Sequence, residues 1–173
     1  MRVPYRKPGK YSQIKPDPFI TEGKFVELKD KLDKLKNLSR PKAIEEVKRL
    51  AELGDFSENA EYQIAKGRLR WINDSIVKIE NQLKNAEVIT AQKQTDTIQL
   101  GHRVTIENIN PAPGQSRQKK TYQILGSSET NPREGIISHN SPLGSALVGR
   151  KAGETVKIKI GDREAAYKII RVE

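Results

Sequence analysis

Asp55, Glu58 and Glu61 put three carboxylates within seven residues, inside the stretch Leu53-Gly54-Asp55-Phe56-Ser57-Glu58-Asn59-Ala60-Glu61-Tyr62. Carboxylates this close support two kinds of chemistry. Asp55 and Glu58 have the spacing of a helix capping box, in which the first acid accepts from free first-turn N–H groups and the second reaches back to the cap. The same pair could take a hard divalent cation, since Mg²⁺ commonly uses one or two carboxylates and keeps water or phosphate oxygens as its other ligands. Two acids on an exposed turn cannot enclose a metal alone, so such a site would be completed by a second molecule. The two readings are compatible, because a capped turn is also a rigid one.

Cations flank this acidic stretch. Lys66, Arg68 and Arg70 follow it, with Trp71 beside them, and Lys48 and Arg49 precede it. On a helix, positions 66 and 70 share a face one turn apart and Arg68 lies well round from them. Arginine suits bidentate contact with phosphate, and an aromatic can stack on a base. An ordinary solvated helix surface would have the same composition.

The elements that must hold these residues are helical. Thr21 can cap a helix starting at Glu22, along which Phe25, Leu28, Leu32 and Leu35 form one apolar stripe. Pro41, in Ser39-Arg40-Pro41, predicts a kink, after which Ile44, Val47 and Leu50 resume the stripe. In the second segment, from about Phe56 to Glu87, Ile72, Ile76, Ile79, Leu83 and Ala86 alternate by four and three, a heptad-like seam. Two such helices joined by a short turn predict an antiparallel coiled coil with arms of about 45 Å. The acidic stretch is its turn, far from any core.

Beyond residue 99 the period changes from helical to alternating. Arg103 to Ile109, Lys120 to Leu125 and Gly135 to Ser138 read as strands. Ser141-Pro142 opens a short helix over Leu143 to Val148 that Gly149 is placed to end. Thr155 to Ile160 and Ala166 to Val172 make a final hairpin across Gly161-Asp162. The expected fold is α+β: a basic, proline-rich and disordered tail (1–19), the coiled coil (20–89), a linker (90–99) and a small antiparallel sheet domain with one short helix (100–173).

Composition fits that division. Only 35% of the 173 residues are hydrophobic and 31% are charged, with a mean hydropathy of −0.72, too polar for one large core. The absence of cysteine excludes disulfides, zinc fingers and thiol chemistry, and no run of about 18 apolar residues exists to span a membrane. Without an apolar core behind the basic N-terminus, no secretory signal is expected, and a cytoplasmic location is. A net charge of +10 points to an anionic partner, nucleic acid first. An exposed coiled coil ending in charged residues needs no second chain, so a monomer is expected.

The stretch from Leu53 to Tyr62 resembles the hairpin tip of the bacterial Gre transcript-cleavage factors (GreA/GreB). The resemblance continues through Leu83-Lys84-Asn85-Ala86-Glu87-Val88-Ile89, Ile137-Ser138-His139-Asn140-Ser141-Pro142-Leu143 and Leu147-Val148-Gly149-Arg150-Lys151-Ala152-Gly153-Glu154. It runs in the family's order from about residue 20 to the C-terminus. The resemblance implies an FKBP-like C-terminal fold and a coiled coil that enters the secondary channel of a backtracked RNA polymerase. It implies that Asp55 and Glu58 help hold the second catalytic Mg²⁺ and orient the attacking water, so that the polymerase is the enzyme and this chain its cofactor. Ser57, Asn59, Glu61 and Tyr62 would support the tip. Lys66, Arg68 and Arg70, joined by Lys48 and Arg49 from the opposing helix, would contact the extruded 3′ end of the nascent RNA. Asn140, Ser141 and Pro142 match the stretch that docks on the polymerase rim.

Two features depart from the family pattern: the basic tail before residue 20, and the loop from Pro111 to Lys119, which is longer and more basic than usual. His102 and His139 are isolated and read as structural or surface residues, not catalytic ones. Three other functions compete. A polymerase-binding inhibitor would use the same hairpin without promoting cleavage, against which both Asp55 and Glu58 are retained. A prolyl isomerase would follow from the fold alone, but the C-terminal half offers only Tyr122 and Tyr167 as aromatics. A generic coiled-coil RNA binder leaves the acidic tip without a task.

Overall fold

A computed structural model describes residues 17–52, 60–90, 97–111, 116–160 and 163–173. The tail through residue 16 and the tip residues Asp55, Ser57, Glu58 and Asn59 lie outside the described residues.

The Thr21 hydroxyl accepts from the Lys24 N–H at 3.2 Å, opening α1 (Glu22–Lys34) as its sequence predicts. A π-helical turn (Leu35–Ser39) carries the chain without a break into α2 (Arg40–Ala51). At its end the Arg40 N–H donates to the Leu35 carbonyl, five residues back, and the next residue is Pro41, which has no N–H to donate. The turn also resets the apolar stripe. Leu28 and Leu35 are buried seven residues apart, and so are Ala43 and Leu50, but Leu35 and Ala43 are eight apart. One extra residue absorbed in the wide turn therefore shifts the face. Ile44, expected in the seam, is 46% exposed, and Ala43 takes its place at 3%. On α3 (Ala60–Lys84), Ala65, Ile72, Ile76 and Ile79 are buried, with Leu69 and Leu83 packed partly against them. Arg68 to Glu46 (3.1 Å) and Lys36 to Glu80 are exposed ion pairs that bridge the two antiparallel arms.

A short strap ties the base of this hairpin to the second domain. β1 (Phe19–Ile20) pairs in parallel with β2 (Glu87–Val88), and Ile20 is fully buried between the helices. Just before it, one Asp17 oxygen accepts from the Ser127 N–H (2.7 Å) and hydroxyl (2.8 Å), while the other accepts from the Phe19 N–H (3.1 Å). Just after it, the Thr21 hydroxyl donates to Glu129 Oε1 at 2.6 Å and its N–H to Oε2 at 3.0 Å. The Phe19 ring meets His139 edge to face, centroids 5.5 Å apart. Gly126 is required here, because a Cβ at that position would stand 1.8 Å from the Phe19 carbonyl oxygen. Burial pushes the Asp17 carboxyl up, but the hydrogen bonds from Ser127 and Phe19 and the nearby His139 outweigh it and hold it below its ordinary value of 3.8. Phe19, assigned by its sequence surroundings to the tail, is thus a strand residue, because its partners come from far along the chain.

The second domain is a five-stranded sheet of order β5-β4-β3-β7-β6, made of β3 (Arg103–Asn108), β4 (Lys119–Leu125), β5 (Ile136–Ser138), β6 (Thr155–Ile160) and β7 (Arg163–Val172). The predicted strands and final hairpin are present. The sheet is antiparallel except at one edge, where β5 joins β4 in parallel through the connection containing Asn131 to Gly135. A bulge on β7 opposite Thr105/Ile106 adds one residue. Val104, Ile106, Ile124, Ile137, Val156 and Ile169 point to one face, which Leu147 of α4 (Pro142–Leu147) and Ile98 cover. Ile98 lies within the predicted linker, yet it is fully buried and its backbone bonds to Gly149 and Arg150. Gly149 ends α4 at φ 80°, as expected of a helix-terminating glycine.

Candidate functional site

The end of the hairpin opposite the strap is where α2 stops at Ala51 and α3 starts at Ala60. The chain between them carries Asp55 and Glu58. Leu50 and Ala65, both buried, hold the two helices together close to that end. Counted from Ala60 to Lys84 at 1.5 Å per residue, α3 extends about 37 Å from the strap end of the hairpin. A long arm can deliver the segment that joins its helices into a recess of another molecule, and a compact domain could not.

Lys48 and Arg49 occupy the last turn of α2, and Lys66, Arg68 and Arg70 lie exposed on the first half of α3. They do not form one uniform patch. The Arg68 guanidinium donates to Glu46 and is half committed to holding the hairpin closed. Lys66 sits over the Tyr62 ring at 5.8 Å, a cation–π contact that also orients this tip residue. Arg70, Lys48 and Arg49 make no ion pair with the described residues, and they remain the cations available to an incoming anion. Glu61 is exposed and Tyr62 half-buried. Trp71 is 62% exposed on α3, and Ile64, two turns earlier on the same side, is 65% exposed. Sequence periodicity left Ile64 unnoticed because it lies off the apolar seam. Among the described residues no cluster of His, Asp or Glu is placed to hold a metal.

The second predicted surface lies at the start of α4. Ser141 is half-buried and structural: its hydroxyl accepts from the Gly144 N–H (3.1 Å) and donates to the Ser138 carbonyl (2.6 Å). Asn140 and Pro142 are exposed on either side of it. The Asn140 side chain points back to Ser127 (3.4 Å) and Asp17 (3.5 Å), so this surface is continuous with the strap. Sequence reading passed over Asp17, Ser127 and Glu129, because no local pattern distinguishes a surface acid from one that will meet a partner more than a hundred residues away. His139 packs in this junction, and His102 is buried with its Nδ1 accepting from the Gln99 N–H, so both are structural, one of the roles expected of them. No described helix is long and apolar enough to cross a membrane.

Residues 18–88 match the family model "Transcription elongation factor, N-terminal", and residues 93–173 match "Transcription elongation factor, GreA/GreB, C-term". Transcription elongation factor GreA of Staphylococcus saprophyticus is 35% identical over 157 residues, covering 90% of this chain and 96% of that one. The protein of the same name from Anaeromyxobacter sp. (strain K) is 37% identical over 151 residues, covering 87% and 88%. The solved GreA factor homolog 1 (Gfh1) of Thermus thermophilus aligns at 21% identity over 89% of this chain and 97% of that one, with a TM-score of 0.39. Matched by both domain models across nearly all its length, the chain belongs to the GreA/GreB family of transcription elongation factors.

Proposed function

We propose that this chain binds RNA polymerase, inserts its hairpin into the secondary channel, and stimulates the polymerase's own cleavage of backtracked nascent RNA. The observation that carries the reading is the position of Asp55 and Glu58 between two helices whose other end is strapped to a separate domain. Family membership supports it. In this reading the chain is a cofactor and the polymerase the enzyme.

Each part of the chain then has a task. The surface around Asn140, Ser141 and Pro142 docks on the polymerase and sets where the hairpin enters. The seam keeps the arm straight, and the strap fixes its direction. Asp55 and Glu58 would help hold a Mg²⁺ shared with the polymerase, which when bound supplies Lewis-acid charge for phosphodiester hydrolysis. Ser57, Asn59, Glu61 and Tyr62 support that tip. Lys66, Arg70, Lys48 and Arg49, with Arg68 when it leaves Glu46, hold the extruded 3′ end through its phosphates.

The test is a stalled, backtracked elongation complex supplied with Mg²⁺. The wild-type chain is expected to shorten the RNA from its 3′ end. Asp55→Ala plus Glu58→Ala should still bind polymerase but leave the RNA intact. Cleavage by the double variant at the wild-type rate would refute the carboxylate role, and a wild-type chain that binds and only slows elongation would identify a channel-occupying inhibitor.

A further inference from the structure

The sheet face turned away from α4 and the core is exposed among the described residues. Alternation along the strands and the observed register bring six cations to it: Arg103 on β3, Lys119 on β4, Lys157 and Lys159 on β6, and Lys168 and Arg171 on β7. All six are exposed. Only two carboxylates, Glu107 and Glu164, are interleaved with them on the described strands. Lys157 reaches Glu164 at 3.7 Å and Arg171 reaches Glu173 at 2.8 Å. Arg103, Lys119, Lys159 and Lys168 have no ion-pair partner among the described residues.

Lysines on an edge strand guard against edge-to-edge pairing, and that accounts for Lys157 and Lys159 on β6. It does not account for Arg103, Lys168 and Arg171, which lie on the inner strands β3 and β7. A face built only for hydration would balance the two signs, and on these strands six cations stand against two carboxylates. Its remaining side chains are small or polar: Thr105 and Thr121 hydrogen-bond to each other at 2.9 Å, with Gln123 beside them, and Ala166 lies opposite Lys157. Tyr122 and Tyr167 both pack against the buried core on the opposite side. With no aromatic to stack on bases, the face suits phosphates rather than unpaired nucleotides. From β4 to β6 it spans three strand spacings, about 14 Å, enough to reach phosphates on both sides of a groove about 12 Å wide.

We propose that this face binds the phosphate backbone of duplex DNA, without reading sequence. It engages four to six phosphates through Arg103, Lys119, Lys159, Lys168 and their neighbours. The proposal is independent of the polymerase reading, because it requires no polymerase.

Fluorescence anisotropy of a labelled 20-base-pair duplex of arbitrary sequence, titrated with the full chain between 50 and 200 mM salt, tests it. Wild type should bind with log K falling linearly with log[salt] at a slope of about −4 to −5. Arg103→Glu/Lys159→Glu/Lys168→Glu should weaken binding at 50 mM salt at least tenfold and bring the slope down by about 3 units. The same three residues changed to Gln should lie between, with unchanged melting curves. Reversing Lys66 and Arg70 on the hairpin, or Arg2 and Arg6 in the tail, should leave most of the slope in place. The proposal is overturned if either of those variants removes the slope while the sheet variant keeps it, if single-stranded DNA binds more tightly than duplex, or if poly-glutamate binds as tightly as duplex, which would make the face a site for acidic protein.

Discussion

Replacing Asp17 by Ala isolates the strap from the rest of the fold. The carboxylate accepts two short hydrogen bonds from Ser127, one from Phe19 and a long one from Asn140. Bonds to a charged acceptor are worth about 1.5–3 kcal/mol each when buried. Ser127 is exposed, so water can replace part of what its two bonds contribute, and the set together should stabilise the junction by about 2–3 kcal/mol. For a chain of this size that corresponds to a loss of about 5–10 °C in melting temperature, followed by circular dichroism at neutral pH. Asp17→Asn keeps an acceptor but not the charge, and should lose about half as much. The pH dependence is the sharper test. The Asp17 carboxyl is held below 3.8 in the folded chain. Its contribution is therefore complete above the unfolded-state value and is lost as pH falls through the folded one. The difference between wild type and Asp17→Ala should shrink as pH falls below about 4. Equal melting temperatures at pH 7, or a difference that is undiminished at about pH 2, would refute the reasoning.

Three further substitutions probe the hairpin. Ala43→Lys should cost at least about 2 kcal/mol, because it puts a long charged side chain into the seam, whereas Ile44→Lys should change stability by less than about 0.5 kcal/mol. Urea unfolding of the pair reads this directly, and the opposite order would mean that the π-helical turn does not reset the stripe. Gly67 lies exposed within α3 with nothing within 4 Å of where a Cβ would stand. Gly67→Ala should therefore raise unfolding free energy by about 0.5–1 kcal/mol, and a loss of stability in the same urea experiment would contradict the open surroundings.

Much of the architecture was legible because it is local. A capping threonine meets an N–H three residues away, a seam repeats every three or four residues, and alternation in Thr155 to Ile160 assigns each side chain to a face from its neighbours alone. The α4 cap at Ser141 and its stop at Gly149 depend on residues within one turn. The acidic stretch, its cationic surroundings and the family resemblance were likewise contained in short runs of sequence.

What escaped were facts about distant partners. Asp17 and Thr21 resemble any polar pair near a proline-rich segment until Ser127 and Glu129 arrive beside them. The stripe through Ile44 looked continuous because periodicity cannot show that a π-helical turn absorbs one residue. The same limit hides the basic sheet face: alternation told which side each lysine takes, but only strand order placed Arg103, Lys119, Lys159 and Lys168 together. Sequence by itself determined the helices, the strands and the carboxylates between the arms. Tertiary structure decided where the arm is anchored and which charges share a surface, since those depend on contacts between residues that are neighbours only after folding.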